Sequence, residues 1–206
     1  FIRFRGEDIR KESAVIEPGT RIGFGEVSVL GALGISQVSV HRQPRVALLA
    51  TGNELTEAGE ALRTGGIYES NRRMLAEVVD QCGCRSSVGP IVADNAEATR
   101  VALVEALESH EVVISTGGVS VGELDFVKSA FEEIGGQLDF WRLSMRPGKP
   151  FTWGRRGDSV FFGLPGNPVS ALVTFLILVR PFLLKLAGAS ELELPFARGV
   201  LTDAVQ

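Results

Sequence analysis

Cysteine and histidine are scarce in this chain, with two of each in 206 residues. Cys82 and Cys84 stand at C-x-C spacing, which matches neither a zinc pair nor a redox C-x-x-C. A disulfide framework therefore has no support, and reduced cytosolic thiols are expected. His41 and His110 are isolated, so a histidine-based metal centre or catalytic triad has no support either. Both read as surface or loop residues. The longest apolar run, residues 169–179, is too short to span a bilayer and is followed by Arg180-Pro181. It reads as a buried helix. No signal-peptide pattern is present, and a cytoplasmic protein without a membrane partner is expected. The net charge is only -4. That argues against a nucleic-acid partner or any broad polyanion surface, so an anion site has to be local. Neither GxGxxG nor GxxxxGK[ST] occurs, which removes the usual dinucleotide and P-loop signatures.

What is present is ordinary in bulk and specific in detail. Hydrophobic residues make up 45% and charged residues 22%, which is the balance of a soluble globular protein. The length allows one good-sized core with extra pieces, or two small domains. The stretch that organises the chain is residues 112–128. Val112, Val113 and Ile114 predict a short buried strand. The chain then passes through Ser115, Thr116, Gly117 and Gly118, runs on to Gly122, and opens a helix near Glu123. Phe126, Val127, Ala130, Phe131 and Ile134 recur at helical spacing and predict one buried face. A strand that ends in paired glycines and feeds a helix is a place where α/β proteins hold anions. The same glycines also fit a tight turn with no ligand.

Residues 1–43 differ from the rest. They read as short strands and polar turns, with a helix near residues 26–33 stopped by Gly34 and a strand over 35–40. They predict the end of a β-rich first domain. From Arg45 strands and helices alternate. Residues 46–50 are a continuous apolar strand. Ser70 predicts an N-cap for a helix that buries Met74, Leu75, Val78, Val79 and Cys82. A strand follows over 87–92, and Asp94-x-x-Glu97 predicts a capping box for a helix to Leu107. Strands are expected at 138–145, 151–155 and 159–162, and one long helix from Val169 to about Gly188. The predicted fold is α/β: a mostly parallel sheet with helices on both faces over 44–190, flanked by partial β-rich domains, with 191–206 opening the second of them. The chain begins inside one strand-like run and ends after another, so a piece of a longer protein is expected.

In such sheets ligands sit beyond the carboxyl ends of the strands, at a topological switch point. Thr51-Gly52-Asn53-Glu54, Ser115-Thr116-Gly117-Gly118 and Gly163-Leu164-Pro165-Gly166-Asn167-Pro168 all follow strands, so they should share one rim. Glu54 and Asp125 then bring carboxylates, and Arg146 and Lys149 bring cations on a proline-stiffened turn. Carboxylates and an anion coexist when Mg²⁺ lies between them. Each piece also has a plainer reading. Glu54 fits a solvated loop acid, Asp125 a first-turn acid favoured by the helix dipole, and Arg146 and Lys149 surface charges. Pro168 fits the first position of a helix.

Taken in order, Thr51-Gly-Asn-Glu-Leu55, Ser70-Asn71, Ser115-Thr-Gly-Gly-Val-Ser-Val-Gly122 with Asp125, Arg146-Pro-Gly-Lys-Pro150 and Gly163-Leu-Pro-Gly-Asn-Pro-Val-Ser170 resemble the molybdopterin molybdenumtransferase family. The C-terminal region of gephyrin is a eukaryotic member. The resemblance implies insertion of molybdenum from molybdate into adenylyl-molybdopterin with Mg²⁺, releasing AMP and forming molybdenum cofactor. It implies Glu54, Asp94, Asp125 and Lys149 as catalytic residues, with Glu54 and Asp125 on the metal. Substrate-binding positions would be Thr51, Gly52, Ser70, Asn71, Thr116, Gly117, Gly118, Ser120, Gly122, Arg142, Arg146, Pro165, Gly166, Asn167, Pro168 and Ser170. Arg142 and Arg146 fall where many members have lysine, which keeps the charge but replaces a point ammonium with a planar fork. The implied partners are a second copy in a homodimer and molybdopterin adenylyltransferase upstream. Because the family's other domains lie outside this sequence, the chain alone is expected to bind a pterin phosphate weakly and not to turn over. Two other functions remain open. An adenylyltransferase would consume ATP with molybdopterin, and a non-catalytic scaffold module would bind a peptide partner.

Overall fold

A computed structural model describes residues 2–118, 126–142, 145, 150–195 and 197–200, with the backbone alone at 140–142. The first element is helix α1 (Phe24–Ala32), closed by Gly34 in the left-handed region at φ 72°. None of its residues is buried. The strand expected over residues 35–40 does not form, nor does any other strand among the described residues before Arg45. Val38 and Val40 are exposed there. A strand needs a neighbour to take its N–H and C=O groups, and no such neighbour pairs with this segment.

The central sheet grows from strand β1 (Arg45–Thr51). A small parallel ladder of β2 (Leu55–Thr56) and β3 (Ile67–Tyr68) lies in the connection that follows. Then come helix α2 (Asn71–Gln81), strand β4 (Arg85–Val92), helix α3 (Ala96–Ser109), strand β5 (Val112–Thr116) and helix α4 (Phe126–Glu133). Strands β6 (Gln137–Arg142), β7 (Pro150–Arg156) and β8 (Ser159–Leu164) complete the sheet. Its order is β4-β1-β5-β8-β7-β6. Strands β4, β1, β5 and β8 are parallel, while β7 runs antiparallel between β8 and β6. The mostly parallel sheet expected from the sequence is therefore present.

The side-chain alternation of β1 explains why the sheet is covered twice. Val46 and Leu48 point to one face, where they join Val112, Ile114, Leu75 and Val79. Ala47 and Leu49 point to the other, where they meet Val113, Phe161, Leu103 and Phe131. An apolar residue at every position is what a strand buried on both faces requires. On α4 the inner face is Val127, Ala130 and Phe131, with Phe126 and Ile134 only half-buried. On α2 it is Leu75, Val79 and Cys82, with Met74 and Val78 half-buried. Both thiols are free and buried, and desolvation pushes Cys84 up to about 12. Neither behaves as a reactive cysteine.

Two caps differ from expectation. The α3 N-cap is Asn95 rather than Asp94, since the extended backbone at Asn95 turns its side chain onto the Ala98 N–H at 2.8 Å. Ser70 does stand at the α2 N-cap, but its side chain makes no capping bond. The buried Glu69 carboxylate takes the Arg72 N–H instead, at 2.9 Å.

The long apolar helix is composite. Helix α5 (Pro168–Thr174) passes into a π-helical turn (Phe175–Val179) and then α6 (Arg180–Leu186). The Arg180 N–H bonds back to Phe175 O, five residues earlier. Pro181 has no N–H and its ring crowds the carbonyl one turn back, so a widened turn ahead of it relieves the clash. The turn also keeps Ala171, Phe175, Val179 and Leu183, spaced four apart, on the sheet side, all fully buried. At 19 residues, the segment Pro168–Leu186 is long and apolar enough to cross a membrane by length and composition. That corrects the shorter run read from the sequence. Its buried stripe gives it the packing of a core helix on a sheet.

Glu111 ties the segment before β1 to β5. Its carboxylate accepts from the Arg45 N–H at 2.8 Å and from the Arg42 guanidinium. Burial by itself would raise its pKa, but the backbone bonds and Arg42 outweigh that and hold it below its ordinary 4.5. A depressed folded pKa means stability that is present above the unfolded value and lost as the pH falls through the folded one. Glu111→Gln is therefore expected to lower stability by about 0.5–1.5 kcal/mol at neutral pH. The two melting curves should converge on acidification below pH 4.5. A gap that persisted in acid would disprove this.

Candidate functional site

The strand order places the switch point between β1 and β5. From β1 the chain goes to β4 on one side, then crosses through α3 to β5 on the other. Because these strands are parallel, Thr51, Val92, Thr116 and Leu164 end at one edge, as their register pairs show. The β6–β7 connection starts after Arg142 and returns at Pro150, and Arg142 pairs with Pro150 beside that same edge.

At the centre of this rim, Gly117 and Gly118 lie against Thr51. Both glycines are left-handed, at φ 80° and 65°. A Cβ on Gly117 would sit 2.5 Å from Thr51 O, and one on Gly118 would sit 2.5 Å from Thr51 Oγ1. The Gly117 N–H is already donated to Leu164 O at 3.2 Å. The Gly118 N–H has no acceptor among the described residues, so it, not Gly117, is the amide this loop offers. Gly166 packs onto the same loop, 3.6 Å from Gly117 Cα to the position a Cβ would take. Asn71 donates Nδ2 to Gly166 O at 2.8 Å. Asn71 and Thr51 are both buried, and Asn71 Oδ1 and Thr51 Oγ1 have no partner among the described residues. A buried polar atom without a partner costs about 1–3 kcal/mol unless something fills the gap.

The sequence-derived residues divide into groups. Thr51, Asn71, Gly117, Gly118 and Gly166 converge directly. Thr116 ends β5 beneath them, buried. Pro165 follows β8. Asn167 caps α5, accepting from the Ser170 N–H at 3.2 Å, and Pro168 takes the first turn. That capping matches the plainer reading of this loop. Glu54 is exposed and folds back over Gly52, where a Cβ would lie 2.9 Å from both carboxylate oxygens. Asp94 and Asn53 bind reciprocally. Asp94 Oδ2 accepts from Asn53 N at 3.3 Å, and Asn53 Oδ1 accepts from Asp94 N at 3.1 Å. Ser70 is exposed at the start of α2. Ser120, Gly122, Asp125, Arg146 and Lys149 lie outside the described residues, as does the Arg142 side chain.

Among the described residues no group of three His, Cys, Asp or Glu could hold a metal by itself. The donors near the rim, Glu54 and Asp94, are oxygen only. That suits a hard cation that takes most of its ligands from substrate and water, not a soft one. A cleft of about 400 Å³ adjoins this edge on the β4 side, lined by Gly52, Asn53, Arg63, Pro90 and Ala93 among others.

Arg72, Glu69 and Glu57 are functional-region residues that no motif in the sequence singled out. Arg72 is 1% exposed and donates Nε to Glu69 at 2.9 Å, Nη2 to Glu57 at 2.6 Å and Nη1 to Gly89 O. A signal was available: positions 72, 75, 79 and 82 form the buried stripe of α2, so a charge at 72 has to be paired inside.

Residues 47–185 match the family model described as a probable molybdopterin binding domain. A "Molybdopterin molybdenumtransferase" from Haemophilus influenzae is 41% identical over 94% of this chain and 48% of its own length. "Gephyrin" from Dictyostelium discoideum is 33% identical over 100% of this chain and 33% of its own length. Among solved structures, a "molybdopterin biosynthesis moea protein" from Pyrococcus horikoshii superimposes with a TM-score of 0.83 at 34% identity, over 90% of this chain and 46% of that one. The chain spans about half the length, or less, of these curated relatives. With the fold, the glycine loops and these likenesses together, the chain belongs to the molybdopterin-binding domain family and matches the molybdopterin molybdenumtransferases within it.

Proposed function

We propose that this chain binds a molybdopterin phosphate in the β1–β5 crevice and serves molybdenum insertion from molybdate into adenylyl-molybdopterin, with release of AMP. The observation that carries this reading is the meeting of Thr51, Asn71, Gly117, Gly118 and Gly166 around two buried polar atoms, Thr51 Oγ1 and Asn71 Oδ1, that have no partner among the described residues. The Gly118 amide and the Thr51 hydroxyl donate to an anion, while Asn71 Oδ1 accepts from an N–H or O–H of the same ligand. Glu54, with Asp125 from outside the described residues, would hold Mg²⁺, which supplies neutralisation of phosphate charge. Asp94 orients the Glu54 loop through Asn53. Ser120 and Gly122, outside the described residues, would contribute contacts to the ligand, as the family resemblance implies. Arg142, Arg146, Lys149 and Ser170 receive the molybdate oxyanion. No residue acts as a nucleophile, and the rate comes from positioning and fixed charge. A second copy of the full-length protein completes the site, and molybdopterin adenylyltransferase supplies the substrate.

Thr51→Val tests this reading because it removes the hydroxyl and keeps the shape. An unpartnered Oγ1 contributes nothing to the empty fold, so the melting temperature should stay level or rise. Molybdopterin binding, followed by fluorescence titration, should weaken by roughly 10–100-fold if the hydroxyl bonds a charged phosphate. Unchanged affinity would remove the crevice from consideration.

A further inference from the structure

We propose that Arg72 is a positioning residue for the rim, acting through Glu57 to hold the β1–α2 connection that carries Asn53 and Glu54. The proposal rests on the molybdopterin-binding reading for what the rim does, but the clamp itself is a property of the empty chain. The Arg72 guanidinium reaches three separate positions along the chain, through two carboxylates and one main-chain carbonyl. It meets Glu69 at the start of its own helix, Glu57 in the β2–β3 connection, and the Gly89 carbonyl in β4. The Gly89 carbonyl is available because the β1–β4 register shifts between Leu48 and Ala50, leaving a bulge at Gly89-Pro90. A bulge turns a carbonyl out of the ladder. Gly89 also lies so near β1 that a Cβ there would come within 2.7 Å of Leu49.

The connection is otherwise weakly held. Beyond Arg72, the hydrogen bonds that tie it to the rest of the described chain are Gly52 N–H to Val92 O at 3.2 Å and the reciprocal Asn53–Asp94 pair, while the two-residue β2–β3 ladder and Tyr68 Oη to Glu60 O at 3.0 Å lie within it. The neighbouring residue, Asn71, fixes the opposite loop through Gly166. Two adjacent residues at the start of α2 therefore set the spacing of the loops on either side of the crevice. Arginine suits this role where lysine does not, because its fork presents several donors in one rigid plane.

The decisive measurement is hydrogen exchange on the ligand-free protein, with molybdopterin titration alongside. Arg72→Met leaves Glu69 buried without its partner and puts folding at risk, so Glu57→Ala is the companion variant. It cuts only the arm to the loop and leaves Arg72 paired with Glu69 and Gly89. In Glu57→Ala the amides of Leu55, Ile67 and Glu69 should exchange roughly 10–100-fold faster, the change expected for one charge-assisted bond. Those of Val113 and Ile114 in β5 should be unaffected. Molybdopterin should bind about tenfold more weakly, and the melting temperature should fall by roughly 3–10 °C, the cost of the same bond to the whole fold. Arg72→Lys should restore folding but leave the loop exchanging fast. Loop exchange identical to the parent in Glu57→Ala would overturn the clamp. Faster loop exchange with unchanged affinity would overturn its positioning role. If the parent protein itself fails to bind molybdopterin, the functional reading falls while the exchange result still decides the clamp.

Discussion

Gly117→Ala is expected to damage both stability and binding. At φ 80° an alanine strains the backbone, at about 1–2 kcal/mol. Its Cβ would also lie 2.5 Å from Thr51 O. That neighbour is main chain in the middle of the sheet edge, so it cannot turn aside as a side chain could. Overpacking of this kind adds about 1–3 kcal/mol. Together these give roughly 2–5 kcal/mol, or a fall of about 4–20 °C in melting temperature for a domain of this size. The loop must move to accept the methyl, and its movement carries the Gly118 amide off its place in the crevice. Molybdopterin affinity should then fall by roughly 10–100-fold, the worth of one hydrogen bond to a charged group. Calorimetry and fluorescence titration on the same preparation read both effects. A variant that melts and binds like the parent would mean that β1 and the glycine loop are not packed this closely.

Phe161→Ala is expected to be costly without touching the rim. Phe161 is fully buried in the centre of β8 and stacks on Phe131 of α4, with ring centroids 4.8 Å apart. Val113 and Leu103 share that cluster. Removing the ring leaves a cavity walled by a sheet and two helices that cannot collapse into it, at about 3–5 kcal/mol. For a domain of this length that is roughly 6–20 °C in melting temperature. Chemical denaturation should show a lower midpoint at an unchanged slope. Molybdopterin binding by the folded fraction should survive, which separates this variant from Gly117→Ala. A loss below about 1 kcal/mol would indicate that the side of the sheet packed by α3 and α4 is loosely filled.

The elements that were legible in the chain are those whose signal is local. Residues 46–50 and 112–114 have no polar position, so strands covered on both faces follow from the residues alone. Paired glycines after a strand, and Asn167-Pro168 before a helix, announce their turns because few other residues tolerate those backbones. The strand expected at 35–40 had an equally good alternating pattern and did not form. Pattern supplies a face, but only a paired neighbour supplies a ladder. The Asp94 cap failed for a related reason. Asp94 and Asn95 suit an N-cap equally well, and Asn53, 41 residues away, engages Asp94. That leaves the cap to Asn95.

By itself, then, the order of residues determined the alternation of strands and helices, the rim on which the glycine loops end, and the family to which the motifs belong. The tertiary structure alone decided that the Gly117 N–H is spent on Leu164 while the Gly118 N–H has no acceptor among the described residues. It also decided that Thr51 Oγ1 and Asn71 Oδ1 find no partner among the described residues, and that an arginine inside α2 ties two loops and a strand bulge together. The physical reason is range. Backbone preference and periodicity act over a few residues, whereas hydrogen-bond satisfaction is a count taken over everything that happens to surround a buried atom.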